Sequence, residues 1–245
     1  MRKEEEWFAS WFDSPFYHLL YKHRDEIEAQ TFIDKLFEHL KPSKEDNILD
    51  LACGRGRHAI YMNAKGFKVT GYDLSEDSIN FAKDFDNPSL HFDVRDMREN
   101  LGTNEFDWVF NLFTSFGYFD EPQEDHKAIE SIAKCLKTGG KLVLDFMNAT
   151  KVAKRLVPRE HKSTHGIDFF IERYTEGDHI IKEIKFTAEG KDYRFEEKVK
   201  TLNKSDFERL FNDYNLKLLE CFGNLDLDAF DEEKSDRLIM VAEKI

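Results

Sequence analysis

The chain has little that cross-links or punctuates it. Its 245 residues include only three cysteines, Cys53, Cys135 and Cys221, which are far apart and lack the close pairing of a zinc site or a disulfide framework. They read as reduced thiols, and no metal site is expected. Five prolines and 12 glycines are too few to mark a long flexible linker. No run approaches the roughly 20 apolar residues of a membrane helix, and "MRKEEEWFAS" lacks the apolar stretch of a signal peptide. The expectation is a cytoplasmic protein without membrane contact, monomeric or homodimeric. An excess of positive charge is also missing. Lysine and arginine number 36 against 49 acids, a net charge of −13, so the average surface repels a phosphate backbone and nucleic acid is not an expected partner.

What is present, 40% hydrophobic residues in a chain of 245, suffices for one full core. Residues 1–40 read as an N-terminal helical lid and 41–245 as the main domain. In "IEAQTFIDKLFEHL", Ile33, Leu36, Phe37 and Leu40 recur at three- and four-residue steps, which gives one helical face, and Pro42 follows its end. The earlier "WFASWFDSPFYHLLY" is dense in aromatics, is broken at Ser14-Pro15, and fits a lid as well as core.

From 47 to 147 strands and helices alternate. The strands are "NILDL", "FKVTGYD", "SLHFDV", "FDWVFNLF" and "KLVLDFM"; the helices run from Arg57 to Ala64, from about Ser75 to Asp84, and through "QEDHKAIESIAKCLK" to a stop at Thr138-Gly139-Gly140. Such alternation implies a parallel, doubly wound α/β sheet. Three strand-like runs separated by "TEGD" and "AEGKD" then read as a small antiparallel β insertion at about 165–202. A helix from Lys204 to Tyr214 and an antiparallel pair of strands, "LKLLECFG" and "DRLIMVAEK", close the chain.

In an open α/β sheet a ligand lies at the carboxyl ends of the strands, where the first strand turns into its helix. Gly54 and Gly56 of "LDLACGRGRHA" fall there and let backbone approach a ligand closely. By spacing alone, "GRGRHA" also fits the dinucleotide form, with Asp73 near the distance expected of a ribose-binding acid. Asp50 separates the two readings. A carboxylate is an odd neighbour for a pyrophosphate, but it stabilises the ammonium of S-adenosylmethionine directly or through water. Asp73 would accept from both ribose hydroxyls, and Asp96 in "DVRDM" from the adenine amino group, with Met97 packing on the ring.

With "VTGYDLS", "DVRDMRE", "FDWVFNLFTSFGYF" and "LKTGGKLVLDFMN" added, the chain resembles a class I S-adenosylmethionine-dependent methyltransferase of the small bacterial cytosolic type, over roughly residues 40 to 245. The resemblance implies a Rossmann-like seven-stranded sheet with a reversed last strand, and S-adenosylmethionine as cofactor, with S-adenosylhomocysteine as product. It implies cofactor-binding roles for Asp50, Ala52, Cys53, Gly54, Gly56, Asp73, Leu74, Asp96 and Met97, and for the backbone of Asn111, Leu112 and Phe113. Arg57 stands where many members carry a third glycine. Cys53 has no positioned base and reads as a small buried residue lining the loop.

Ser115, Phe116 and Tyr118 leave the fourth strand at the same edge and are candidates for substrate contact, as are Tyr17, His18 and Tyr21 in the lid. Arg57 and His58 read as solvated helix residues. Methyl transfer is an in-line displacement helped mainly by positioning and by exclusion of water, and no residue reads as a general base. The expected acceptor is a small molecule. The alternatives are an RNA or protein methyltransferase, an NAD-dependent oxidoreductase, or a non-catalytic cofactor-binding module.

Overall fold

The apolar strand runs alternate their burial between two faces, so helices must cover both. In a computed structural model, described for residues 6–21 and 26–245, five parallel strands form the centre: β1 (Asn47–Leu51), β2 (Lys68–Asp73), β3 (Leu90–Val94), β4 (Phe106–Asn111) and β5 (Leu136–Met147). Ile48, Val69, Phe110 and Val143 pack on one face against Phe32 and Leu36 of α1 (Glu26–Leu40), Met62 of α2 (Arg57–Ala64) and Ile79 of α3 (Glu76–Ala82). Their neighbours Leu49, Val109, Leu142 and Leu144 pack on the other face against α4 (Pro122–Cys135) and a later helix, α6 (Lys204–Asn212). A short α5 (Ala149–Lys154) follows β5.

The sheet is completed by the last two strands in the chain, Leu216–Phe222 and Arg237–Lys244. Its seven strands place β3 at one edge, then β2, β1, β4, β5, Arg237–Lys244, and Leu216–Phe222 at the other edge. The final strand runs antiparallel to both its neighbours, as the reversed last strand expected from sequence. Because β1 pairs with both β2 and β4, the strand order reverses beside β1, which opens a crevice at its carboxyl end.

A second sheet stands apart, with four antiparallel strands in the order β6 (Arg159–Thr164), β7 (Ile167–Glu176), β8 (His179–Ala188) and β9 (Lys191–Lys200). The sequence reading counts three strands here. Five of the six residues of β6, "REHKST", are charged or hydroxylic and none is buried, so no apolar alternation marks it as a strand. In chain order the last two strands of the main sheet are thus β10 (Leu216–Phe222) and β11 (Arg237–Lys244). A smaller correction concerns Thr138-Gly139-Gly140. These residues lie inside β5, because α4 stops at Cys135 and Leu136 already pairs with Phe106.

Two short helical turns, Trp7–Phe12 and Pro15–Leu20, precede α1. Trp11 and Leu20 are buried with Phe169, Ile171, Ile184 and Phe186 on the inner face of the second sheet, and burial of each contributes on the order of 2 kcal/mol. The ends of this segment are also fastened: Asp13 accepts from Ser75, and the Lys162 ammonium donates to the Leu20 carbonyl at 2.8 Å. The two turns therefore bridge the second sheet and the carboxyl edge of the first. Of the expected lid, residues 1–5 and 22–25 lie outside the described residues, and α1 is packed on the main sheet.

Candidate functional site

Beneath the two N-terminal turns, at the carboxyl ends of β1, β2 and β4, lies a cleft of about 980 Å³. Its floor begins with Ala52 (φ 60°), Gly54 (φ 55°) and Gly56 (φ 81°) in left-handed conformations between β1 and α2. Glycine serves two purposes there. A Cβ at Gly54 would meet nothing within 4 Å, whereas one at Gly56 would lie 2.6 Å from the ring of Phe92. The first glycine leaves open space against the cleft; the second makes room for an aromatic wedge.

Three acids stand at or just past the carboxyl ends of the first three strands. Asp50 is 1% exposed and accepts a 3.1 Å hydrogen bond from the Ala59 amide, and burial pushes its carboxyl up to about 7. Asp73 is likewise raised by burial, although it accepts from the Gly54 amide at 2.7 Å and the Ser75 amide at 2.8 Å. Asp96 accepts from Nε of Arg98 at 3.0 Å. The same guanidinium holds Glu6 at 2.6 Å and Glu124 at 2.8 Å, so one arginine ties a strand end, the N-terminal segment and α4 together.

The connection after β4 is strained. Phe113 (φ 61°) and Thr114 (φ 60°) are consecutive left-handed residues without glycine, at a cost of order 1–3 kcal/mol each. Buried Asp145 holds both: its Oδ2 accepts from the Phe113 amide at 2.8 Å and its carbonyl from the Thr114 amide at 2.9 Å. Arg237, at the start of β11, pairs with Asp145 through Nε and donates from Nη2 to the Thr114 hydroxyl at 3.2 Å.

The cleft gathers most of the residues singled out in the sequence. Asp50, Ala52, Cys53, Gly54, Asp73 and Leu74 line it, as do Asp96, Met97, Leu112 and Phe113. On the side expected to meet substrate it is lined by Tyr17, His18, Tyr21, Ser115 and Tyr118. Three expected residues stand off its wall. Gly56 packs on Phe92; Phe116 is 1% exposed among Phe119 and Phe207; and Asn111 is fully buried, donating to the Leu51 carbonyl at 3.0 Å. Cys53 is buried, which pushes its thiol well above the ordinary range and leaves it protonated. His18 is held below its usual value by burial and then by Arg55.

Several cleft groups escape a reading of local sequence. His58 is buried rather than solvated, stacks on Phe113 at 5.2 Å, and is pushed down to about 3 by burial, so it is neutral. The four-residue step from His58 to Met62, both buried, is the signal that places it on the inner helical face. Glu197 reaches into the cleft from β9, accepting from Trp11 Nε1 at 2.8 Å and from the Tyr21 hydroxyl, with the Lys182 ammonium 3.3 Å away. Glu197, Asp145 and Arg237 find their partners far along the chain, as Arg98 does in Glu6 and Glu124, and no local pattern announces these contacts.

The donor set fits a cationic, hydroxyl-rich ligand. The raised carboxyl of Asp50 lines the cleft, and among the described residues its one hydrogen bond comes from the Ala59 amide. A bound ammonium or hydroxyl satisfies such an acceptor, whereas a phosphate adds repulsion.

Comparison with known proteins finds similarity to methyltransferases. Residues 48–140 match the family model described as a methyltransferase domain. YqeM of Bacillus subtilis (strain 168), which carries a provisional methyltransferase name, is 27% identical over 232 residues, 90% of this chain and 94% of its own length. The glycine/sarcosine N-methyltransferase of Aphanothece halophytica is 26% identical over 237 residues, 90% of this chain and 83% of its own. A solved S-adenosylmethionine-dependent methyltransferase from Clostridium acetobutylicum ATCC 824 superimposes with a TM-score of 0.78 at 19% identity, over 93% of this chain and 96% of that one. No helix among the described residues is long and apolar enough to cross a membrane.

Proposed function

We propose that the chain is a class I S-adenosylmethionine-dependent methyltransferase and that it methylates a small-molecule acceptor enclosed between the strand-end loops and the N-terminal turns. S-adenosylmethionine supplies the methyl group on a sulfonium centre. In this reading Asp50 stabilises the cofactor's ammonium, Asp73 accepts from its ribose hydroxyls, Asp96 accepts from its adenine amino group, and Met97 and Leu74 pack on the base. The acceptor lies beyond Phe113, against Ser115, Tyr118, Tyr17 and His18. Their work is to hold acceptor and methyl group in line and keep water out.

The observation that carries this reading is the enclosure of the cleft. Its volume of about 980 Å³ exceeds what the cofactor alone requires, yet Trp7, Tyr17 and Tyr21 roof it and Glu197 and Val199 wall it. Two small ligands fit such a space, whereas a polynucleotide or a folded protein would present only a single base or side chain to it. The glycine/sarcosine enzyme among the relatives is named for small amino-acid acceptors, in keeping with this size.

The test uses methyl-labelled S-adenosylmethionine and a cell extract divided by ultrafiltration. Label is expected in a low-mass product. Label found solely in RNA or protein would overturn the acceptor class, and failure of S-adenosylhomocysteine to bind in calorimetry would overturn the assigned site.

A further inference from the structure

Around the ring of Phe113, at the point where the acceptor is proposed to lie, two guanidinium groups gather on the cleft. The guanidinium of Arg237 stands 5.6 Å from the ring centroid and that of Arg57 stands 4.5 Å from it. Arg237 is fixed on two sides, Nε to Asp145 and Nη2 to Thr114, and its side chain is 20% exposed on the cleft wall. Its Nη1 makes no hydrogen bond among the described residues. Asp145 itself is fully buried, and its carboxylate is already occupied by the Phe113 amide and Arg237.

A second donor on the same cleft is also unspent. The indole Nε1 of Trp7 is buried and unpartnered among the described residues, and Trp7 packs at 5.3 Å on Tyr118, whose hydroxyl donates to the Thr114 carbonyl. Buried N–H groups without acceptors cost free energy until an acceptor arrives. A guanidinium clamped in one orientation presents a ready fork to carboxylate or phosphate oxygens.

We propose that the methyl acceptor is an oxyanion, and that Arg237 seats its carboxylate or phosphate group beside Thr114. This rests on the reading of the cleft as a methyltransferase site. It goes further, because it names the charge the acceptor carries and the residue that selects it. Asp145 is then a positioning residue: it holds Arg237 at a fixed angle and, through the Phe113 and Thr114 amides, ties the strained turn to that guanidinium. An acceptor arriving with its anion on Arg237 has its other end directed along the turn towards the cofactor.

The experiment uses the full chain saturated with S-adenosylhomocysteine, with acetate and inorganic phosphate as separate probes titrated by calorimetry. Arg237→Lys keeps the ion pair with Asp145 and loses the fork; Thr114→Val removes one partner of the guanidinium and keeps its charge. The expected result is that one of the two anions binds the wild-type complex at least tenfold more tightly than the Arg237→Lys complex, while S-adenosylhomocysteine affinity changes less than twofold. Whichever anion wins identifies the group as carboxylate or phosphate. Methyl transfer to matched acceptors differing only in that group is expected to favour the anionic member at least tenfold in kcat/KM, and Arg237→Lys is expected to erase the preference.

Equal anion binding in wild type and Arg237→Lys, with both folded by circular dichroism, would overturn the proposal. So would equal methylation of the anionic and neutral acceptors. A loss confined to S-adenosylhomocysteine affinity would assign Arg237 to the cofactor instead. Should the wild type fail to bind S-adenosylhomocysteine at all, the methyltransferase site falls, and the anion titration on the free protein still reports on Arg237 separately.

Discussion

Asp73 and Gly54, separated by 19 positions in the chain, are joined by a 2.7 Å hydrogen bond from the Gly54 amide to Oδ2 of the carboxylate. The other oxygen accepts from Ser75, so a single side chain fixes the glycine loop to the end of β2 before any ligand arrives. The acid proposed to meet the ribose is therefore also what holds the loop open.

Asp73→Ala should lose both roles. Charged hydrogen bonds contribute roughly 1.5–3 kcal/mol each, so S-adenosylhomocysteine affinity is expected to fall by at least tenfold, with a lower melting temperature. Asp73→Asn, which keeps an acceptor, should retain more of the stability than of the affinity. Unchanged calorimetric affinity in the alanine variant would remove Asp73 from the site.

Gly56→Ala should destabilise the fold by about 2 kcal/mol, since it combines a left-handed φ with a Cβ placed in the ring of Phe92. Adding Phe92→Leu should recover the steric part and leave the backbone part. A double-mutant cycle in urea reads the coupling between the two positions; additive effects would show that the wedge is not what excludes a side chain.

Asp50 and His58 oppose each other in their dependence on pH. Burial raises Asp50 from 3.8 to about 7 and lowers His58 from 6.5 to about 3. Above pH 3.8 the native Asp50 holds a proton that the unfolded chain has released, so its share of stability falls as pH rises from about 4 to about 7. Below pH 6.5 the unfolded chain gains a proton on His58 that the native state refuses, so that share falls as pH drops from about 6.5 to about 3. Between about 4 and 6.5 the two slopes cancel. Asp50→Asn should expose the His58 slope, becoming less stable on acidification, and His58→Phe should expose the reverse. Urea midpoints across this range check both signs.

The same carboxyl bears on cofactor binding. An ammonium beside Asp50 favours its ionised form, so binding releases a proton below pH 7 and affinity rises with pH up to about 7 before levelling. Calorimetry in buffers of different ionisation enthalpy measures the proton, and Asp50→Asn should abolish it.

Arg98→Met should free the N-terminal segment. The substitution leaves Asp96, Glu6 and Glu124 without a shared cation, the first two at 16% and 40% side-chain exposure. Limited proteolysis is expected to cut within residues 6–21 faster than in wild type, with a several-fold loss of S-adenosylhomocysteine affinity. Equal cleavage rates would show that burial of Trp11 and Leu20 alone holds the segment.

The parts legible in the sequence are those whose cause is local. A strand of five residues followed by two glycines and an inward-facing helix can be read within fifteen positions, and so β1 to β5 and the acids at their carboxyl ends were recoverable. Phe116 shows the limit of this. It lies among residues that line the cleft, yet its own side chain turns into the core, where it packs on Phe207, 91 positions away. Arg237 and Asp145 are separated by 92 positions and Trp11 and Glu197 by 186; each looks ordinary until the fold brings its partner. β6 was missed for a different reason: an exposed edge strand buries nothing and leaves no period to detect.

The reversal of β11 decides which end of the chain's tail attends the chemistry. In a parallel strand Lys244 would arrive at the edge where the acids gather; running the other way, the strand delivers Arg237 there and carries Lys244 to the opposite edge, where Ile245 donates to the Asn215 carbonyl at 3.0 Å. A fusion partner or affinity tag joined after Ile245 consequently emerges on the side of the sheet away from the cleft.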